Sequence, residues 1–261
     1  MGSRVKGAVL CGGRGEALKP LSNYFQKSMI PVGSLEKPVL EYIVRHLAYH
    51  GLREITLLVG YKANQIMNYF GDGGRFGVNI TYMLDSEKMK GTGGALINAY
   101  NAGAFEGSDV VLVYYGDILT NIDIADMLTH HKNSKAEVTI ALAGGYRVPV
   151  GVAEITPDKQ IVRLVEKPKM ENLAVVGILA INTDVLHRYR NLRGEKDIIE
   201  DIVSPLVKEG GYVNAYVFEG EWFDIGSAEK YEKVKPEDID RLYSHLNLAR
   251  EIRKLNIIEP D

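Results

Sequence analysis

Residues 7–22, GAVLCGGRGEALKPLS, run an apolar strand pattern straight into a glycine-rich turn and then a lysine. Gly12, Gly13 and Gly15 let the backbone take left-handed conformations and bring bare N–H groups against an anion, where a Cβ would obstruct it. The turn reads as a phosphate cradle or as a plain strand-to-helix connection of an α/β protein. Spacing excludes two commoner glycine loops. A P-loop puts glycine directly before its Lys-Ser/Thr, but Lys19 stands between Leu18 and Pro20, and no placement of these glycines gives G-x-G-x-x-G.

Outward from this turn, strand and helix patterns alternate. Strands are predicted at 5–11, 54–59, 78–84 and 109–115, and helices at 38–49, opened by Pro38 and stopped by Gly51, at 64–70 and at 91–102. Such a βαβ series predicts a Rossmann-like α/β fold, a doubly wound, mixed but mainly parallel sheet with helices on both faces. Beyond Leu142 the rhythm shortens. Strands at 151–155, 161–166 and 175–182 read as an extension of the sheet over one side of a cleft, followed by helices at 198–209 and 229–234 around a strand at 213–218. The main domain is expected to span residues 1–234, with a helical extension at 235–261. Ile239, Leu242, Leu246, Ala249 and Ile252 form an apolar stripe on that extension, which could dock on the core or on a second copy in a homo-oligomer.

Composition narrows the function. The 261 residues, 46% hydrophobic, can bury a full core, and a net charge of −3 with mixed signs offers no general basic surface, so nucleic acid is not an expected partner. The lone Cys11 rules out an internal disulfide framework and reads as a small buried hydrophobe. Neither a signal-peptide pattern nor a run of about 18 apolar residues occurs, so a cytoplasmic, non-membrane protein is expected.

Two aspartates stand where chemistry could sit. Asp117 follows Gly116 at the end of the 109–115 strand, and open α/β sheets bind ligands beyond the carboxyl ends of their strands. Asp224 lies in Trp222-Phe223-Asp224-Ile225-Gly226. Taken alone, each could equally be a turn or capping residue.

GGRGEALKPLS, followed by Lys27-Ser28-Met29-Ile30-Pro31-Val32, resembles the GGxGTRLxPLT-plus-lysine signature of the sugar-1-phosphate nucleotidyltransferases, the NDP-sugar pyrophosphorylases. Five further motifs follow in family order. They are residues 51–66 (GLREITLLVGYKANQI), the Gly91-Thr92 segment, Gly116-Asp117, Glu166-Lys167-Pro168, and the W-x-D-x-G around Asp224. The resemblance covers roughly residues 4–234 and is closest in form to mannose-1-phosphate guanylyltransferase-like and glucose-1-phosphate nucleotidyltransferase-like members. Nothing after Gly226 resembles the hexapeptide repeats of longer relatives, so no left-handed β-helix domain is expected.

The resemblance implies transfer of a nucleotidyl group from an NTP to a sugar 1-phosphate, with release of pyrophosphate. It implies that Leu10, Gly12, Gly13, Arg14, Gly15, Gly91 and Thr92 contact the nucleotide, the last two at a helix N-terminus with free N–H groups. It implies that Lys27 counters phosphate charge, that Asp117 and Asp224 hold Mg²⁺, and that Gly151, Glu166, Lys167 and Gly177 line the sugar-phosphate side. The chain also departs from the pattern. Glu16-Ala17 replaces Thr-Arg, Ser28 replaces proline, and Met89-Lys90 replaces Pro-Leu. By analogy with arginine fingers, loss of a phosphate-clamping arginine costs about 10³–10⁵ in rate. Two outcomes are therefore expected, an enzyme in which Arg14 or Lys19 compensates, or a catalytically impaired NDP-sugar-binding regulator. A glycosyltransferase of similar topology is disfavoured, because no D-x-D follows the 109–115 strand.

Overall fold

A computed structural model of the chain describes residues 4–144, 150–168 and 172–248. Seven strands form the central sheet: β1 (Val5–Cys11), β2 (Glu54–Val59), β3 (Asn79–Leu84), β4 (Val110–Tyr115), β5 (Val138–Ala143), β6 (Ala174–Asn182) and β7 (Val213–Val217). Their order is β7-β5-β6-β4-β1-β2-β3, and every pairing is parallel except the two made by β6. The inner strands are mainly apolar because both of their faces are covered, Lys6, Glu54, Thr56, Thr139 and Asn182 being the exceptions. Alternate residues serve opposite layers. Val9, Leu57, Leu112 and Tyr114 meet α1 (Val39–Tyr49), α2 (Ala63–Phe70), α4 (Ile124–Ser134) and α8 (Pro236–Leu242). Ala8, Leu58, Val111 and Val113 meet α3 (Gly91–Asn101), α5 (Thr183–Arg188) and α6 (Ser204–Lys208).

The doubly wound, mainly parallel fold is therefore observed, with corrections in the second half. The segment 175–182, expected in an extension, is β6 and lies inside the central sheet between β4 and β5. Only Val152–Ile155 and Ile161–Val165 stand apart, as an antiparallel hairpin. The single helix expected over 198–209 is a π-helical turn, Ile199–Val203, continued by α6. The sequence reading assigned no helix to α4, whose buried residues are only Ile124, Met127 and His131 among polar neighbours. Along the C-terminal stripe, Ile239 and Leu242 are buried in the core and Leu246 packs partly against it. Ala249 and Ile252 lie outside the described residues.

The C-terminal segment meets α1 through a group of histidines. His46 is buried, with Nε2 2.9 Å from the Ile122 carbonyl and Nδ1 3.4 Å from Nε2 of His245. Burial, more than the neighbouring His50, drives its pKa down to about 3. Among the described residues no helix is long and apolar enough to cross a membrane.

Candidate functional site

The carboxyl ends of β1, β2, β3 and β4 open on the same edge of the sheet, where a cavity of about 520 Å³ is found. Its lining includes Leu10, Gly12, Gly13, Arg14, Lys27, Gly91, Thr92 and Asp117, eight of the residues singled out in the sequence. Backbone bonds tie the loops to one another, with Tyr61 N–H donating to Gly12 O at 3.0 Å and Gly116 N–H to Leu10 O at 3.0 Å. A Cβ on Gly12 would collide with the carboxylate of Asp85, which crosses the loop from the end of β3. Burial raises the Asp85 pKa above the usual carboxylate value. Gly15 sits behind the loop at φ +64°, packed against the stem of Lys27.

Gln26 clamps this loop from beneath. It is buried, its Nε2 donates to Cys11 O at 2.6 Å, its Oε1 accepts from Ser28 N–H at 2.6 Å, and its own N–H donates to Gln65 Oε1 at 2.6 Å. The glycine loop and the Lys27 turn thus share one amide. Cys11 is enclosed beside it, and burial pushes its thiol pKa up to about 12, which leaves it unreactive.

Asp117 and Asp224 come together because Trp222–Asp224 pairs antiparallel with Ile118–Thr120 and Ile225 N–H donates to Asp117 O at 2.8 Å. Gly226 leaves the space beside them open. A Cβ there would lie 2.5 Å from Asp224 Oδ1 and 3.5 Å from Asp117 Oδ2. Each carboxylate already has a lysine. Lys27 pairs with Asp117 Oδ2, and Lys230, from α7 (Ala228–Glu232), pairs with Asp224 Oδ2. Among the described residues no three His, Cys, Asp or Glu side chains gather as a metal cage. Asp117, which lines the cavity, and Asp224, beside it outside that lining, nevertheless form the kind of carboxylate pair a hard divalent cation takes when substrate phosphates complete its shell.

The Gly91 turn differs from expectation. Gly93 N–H donates to Lys196 O at 2.8 Å and Gly94 N–H to the same oxygen at 3.2 Å, so these two amides of α3 are engaged rather than free. Thr92 Oγ1 donates to Asp197 at 2.9 Å and accepts from Ile198 N–H at 3.0 Å. Gly91 and Thr92 still line the cavity, together with Tyr115.

The remaining candidates lie outside that lining. Gly151 faces Glu166, whose Oε2 would be 3.0 Å from a Cβ at that position. Glu166 and Lys167 are exposed at the end of the hairpin, with Lys167 at φ +47°. Gly177, at φ +74°, accommodates the Tyr115 ring, 3.0 Å from where its Cβ would stand. The two cations that might replace the missing arginine also separate. Arg14 lines the cavity with its guanidinium carbon 5.9 Å from the Tyr61 ring centroid, whereas Lys19 is exposed, paired with Glu16 at 2.5 Å, and absent from the lining. Gln26, Asp85, Tyr115 and Lys230 were not singled out from the sequence. Asp85 carried a usable signal, since it follows a parallel strand as Asp117 does.

The nucleotidyl transferase family model matches residues 6–241. The chain is 32% identical over 243 residues to the low-salt glycan biosynthesis nucleotidyltransferase Agl11 of Haloferax volcanii, covering 90% of this chain and 64% of that protein. It is 30% identical over 231 residues to a glucose-1-phosphate thymidylyltransferase of Streptomyces antibioticus, covering 85% and 63%. The chain thus spans somewhat under two thirds of these curated relatives. A Bacillus anthracis structure described as a glucose-1-phosphate thymidylyltransferase superposes with a TM-score of 0.71 at 26% identity, over 90% of this chain and 96% of that one. With the family model matched over most of its length, on the fold and motif order described above, the chain belongs to the sugar-1-phosphate nucleotidyltransferase family.

Proposed function

We propose that the chain catalyses transfer of a nucleotidyl group from an NTP to a sugar 1-phosphate. An oxygen of the sugar phosphate attacks the α-phosphorus, the bond between that phosphorus and the α–β bridging oxygen breaks, and pyrophosphate leaves with the electron pair. The observation that carries this reading is the meeting of Asp117 and Asp224 beside Lys27 at the glycine-loop cavity. Gly12, Gly13, Arg14 and Gly15 take the triphosphate, Lys27 offsets its charge, and Leu10, Gly91 and Thr92 border the nucleoside. Gly151, Glu166, Lys167 and Gly177 serve the acceptor side. Asp117 and Asp224 would hold a divalent cation, Mg²⁺ in our reading, which supplies charge neutralisation at the α-phosphate. The transfer unit occupies residues 1–234, in a cytoplasmic setting where NTP is at hand. Chemistry of this kind is mostly positioning and electrostatics, and of the two candidate substitutes for Ala17, geometry favours Arg14.

A pyrophosphate-release screen of NTP and sugar 1-phosphate pairs with Mg²⁺ tests the proposal. Release is expected with one pair, lost in Asp117→Asn, and raised at least about tenfold in kcat/KM by Ala17→Arg with Glu16→Thr, roughly 1.4 kcal/mol of transition-state stabilisation. No release from any pair before or after that change, with NDP-sugar still bound, would establish the regulatory homologue instead.

A further inference from the structure

Both carboxylates of the aspartate pair are occupied by the chain itself, and on unequal terms. Lys27, which holds Asp117, has a side chain 23% exposed and a stem packed near Gly15, inside the clamped loop region. Lys230, which holds Asp224, is 50% exposed on a short helix, and Asp224 gives its other oxygen to Gly226 N–H at 2.7 Å. The neighbouring acid, Glu229, is engaged by Lys233. Solvent therefore reaches the Lys230–Asp224 pair, and such pairs are weak enough to exchange.

We infer that Lys230 is a positioning residue that withholds Asp224 from a divalent cation until the nucleotide arrives. This rests on the reading of Asp117 and Asp224 as the cation ligands. With Lys27 and Lys230 in place, two like-charged carboxylates stay close without mutual repulsion, and a bare cation must displace an ammonium group and then sit beside it. A cation already carried by a triphosphate brings its own anionic ligands, which receive the displaced ammonium. The site then takes metal as the metal–nucleotide complex and binds the free ion poorly.

The probe is Mn²⁺ without nucleotide, its affinity read by electron paramagnetic resonance. Lys230→Met is expected to bind Mn²⁺ about tenfold more tightly than the native chain, the scale set by removing a like charge a few ångströms from the ion. Lys230→Arg keeps the charge and should stay near the native value, which a loss of packing alone would not reproduce. Lys230→Gln replaces the Met variant should that one fail to fold. Asp224→Asn separates the two ideas. If it weakens Mn²⁺ binding while Lys230→Met matches the native chain, the lysine inference falls and the metal site stands. If Asp224→Asn changes nothing, or no variant binds Mn²⁺, both fall.

Discussion

The glycine-loop cavity and the Val152–Val165 hairpin belong to one chain but are held in place by different means. Around the cavity, β1 is hydrogen-bonded to β2 and β4, the loops are bonded to each other, and a buried Gln26 amide joins two of them. Among the described residues the hairpin strands pair only with each other, and Ile155, Ile161, Val162 and Leu164 are 60–71% exposed. A two-stranded unit has little stability of its own. Phosphate chemistry needs fixed donors, and in this molecule the rigid scaffold stands under the proposed phosphate cradle, while three of the four proposed acceptor contacts, Gly151, Glu166 and Lys167, sit on a thinly supported attachment and Gly177 alone lies in the central sheet.

Gln26→Leu breaks that contrast most severely. It strands the Cys11 carbonyl and the Ser28 N–H in a buried place, so urea unfolding should report a loss of about 2–4 kcal/mol. A loss under about 1 kcal/mol would mean the cavity floor is less fixed than its hydrogen bonds imply. On the same rigid side, His46 has its pKa lowered to about 3 from an ordinary 6.5. The unfolded chain therefore binds that proton more readily. Stability is full above pH 6.5 and falls toward pH 3 by about 1.4 kcal/mol per unit, with burial of His50 and His245 acting in the same direction. Denaturation midpoints should be level above about pH 6.5 and show this slope between about pH 6 and 4, and His46→Gln should reduce it to the part left by His50 and His245.

Effects on the hairpin should be smaller and confined to the acceptor. Lys167→Ala is expected to raise the KM for sugar 1-phosphate about tenfold, near 1.4 kcal/mol, with the KM for NTP unmoved. Equal changes in both would reduce the Glu166-Lys167 turn to a structural one. Leu164→Ser should change stability by no more than about 0.5 kcal/mol, since the side chain is already 71% exposed. A larger loss in thermal unfolding would show that the hairpin is packed against something in solution.

The same contrast governed what could be read from the sequence. Val5–Cys11 and Glu54–Val59 are mainly apolar runs, broken by Lys6 in the first and by Glu54 and Thr56 in the second, because most of each is buried on both faces, and their limits could be read directly. β6 was placed as a strand but not in the central sheet, because alternation reveals neither partner nor direction. α4 was hidden by its Asp, His, Lys and Asn residues, which surround only two buried apolar side chains and include a buried histidine, His131. In the site, Asp117 and Asp224 stood out through motifs, and so did the glycines of the loop. Gln26 and Lys230 did not, since the importance of each comes from a partner's position in space, and neither residue type advertises chemistry in isolation.

The reversed direction of β6 has a further consequence. Ala174 is paired with Ala143, so the chain leaves the sheet from β5 and re-enters it at a neighbouring position on the same edge. A parallel β6 would have had to begin from the opposite edge. The excursion between these two alanines therefore closes on itself like a loop inserted at one point, and the entropy of closing a loop rises only slowly with its length. Since its two strands pair with no strand of the central sheet among the described residues, a change in its length is expected to leave the pairing of the other strands unchanged. On the proposed reading the hairpin is a cassette: splicing between Ala143 and Ala174 would exchange the proposed acceptor contacts at Gly151, Glu166 and Lys167 and leave the proposed nucleotide cradle as it is.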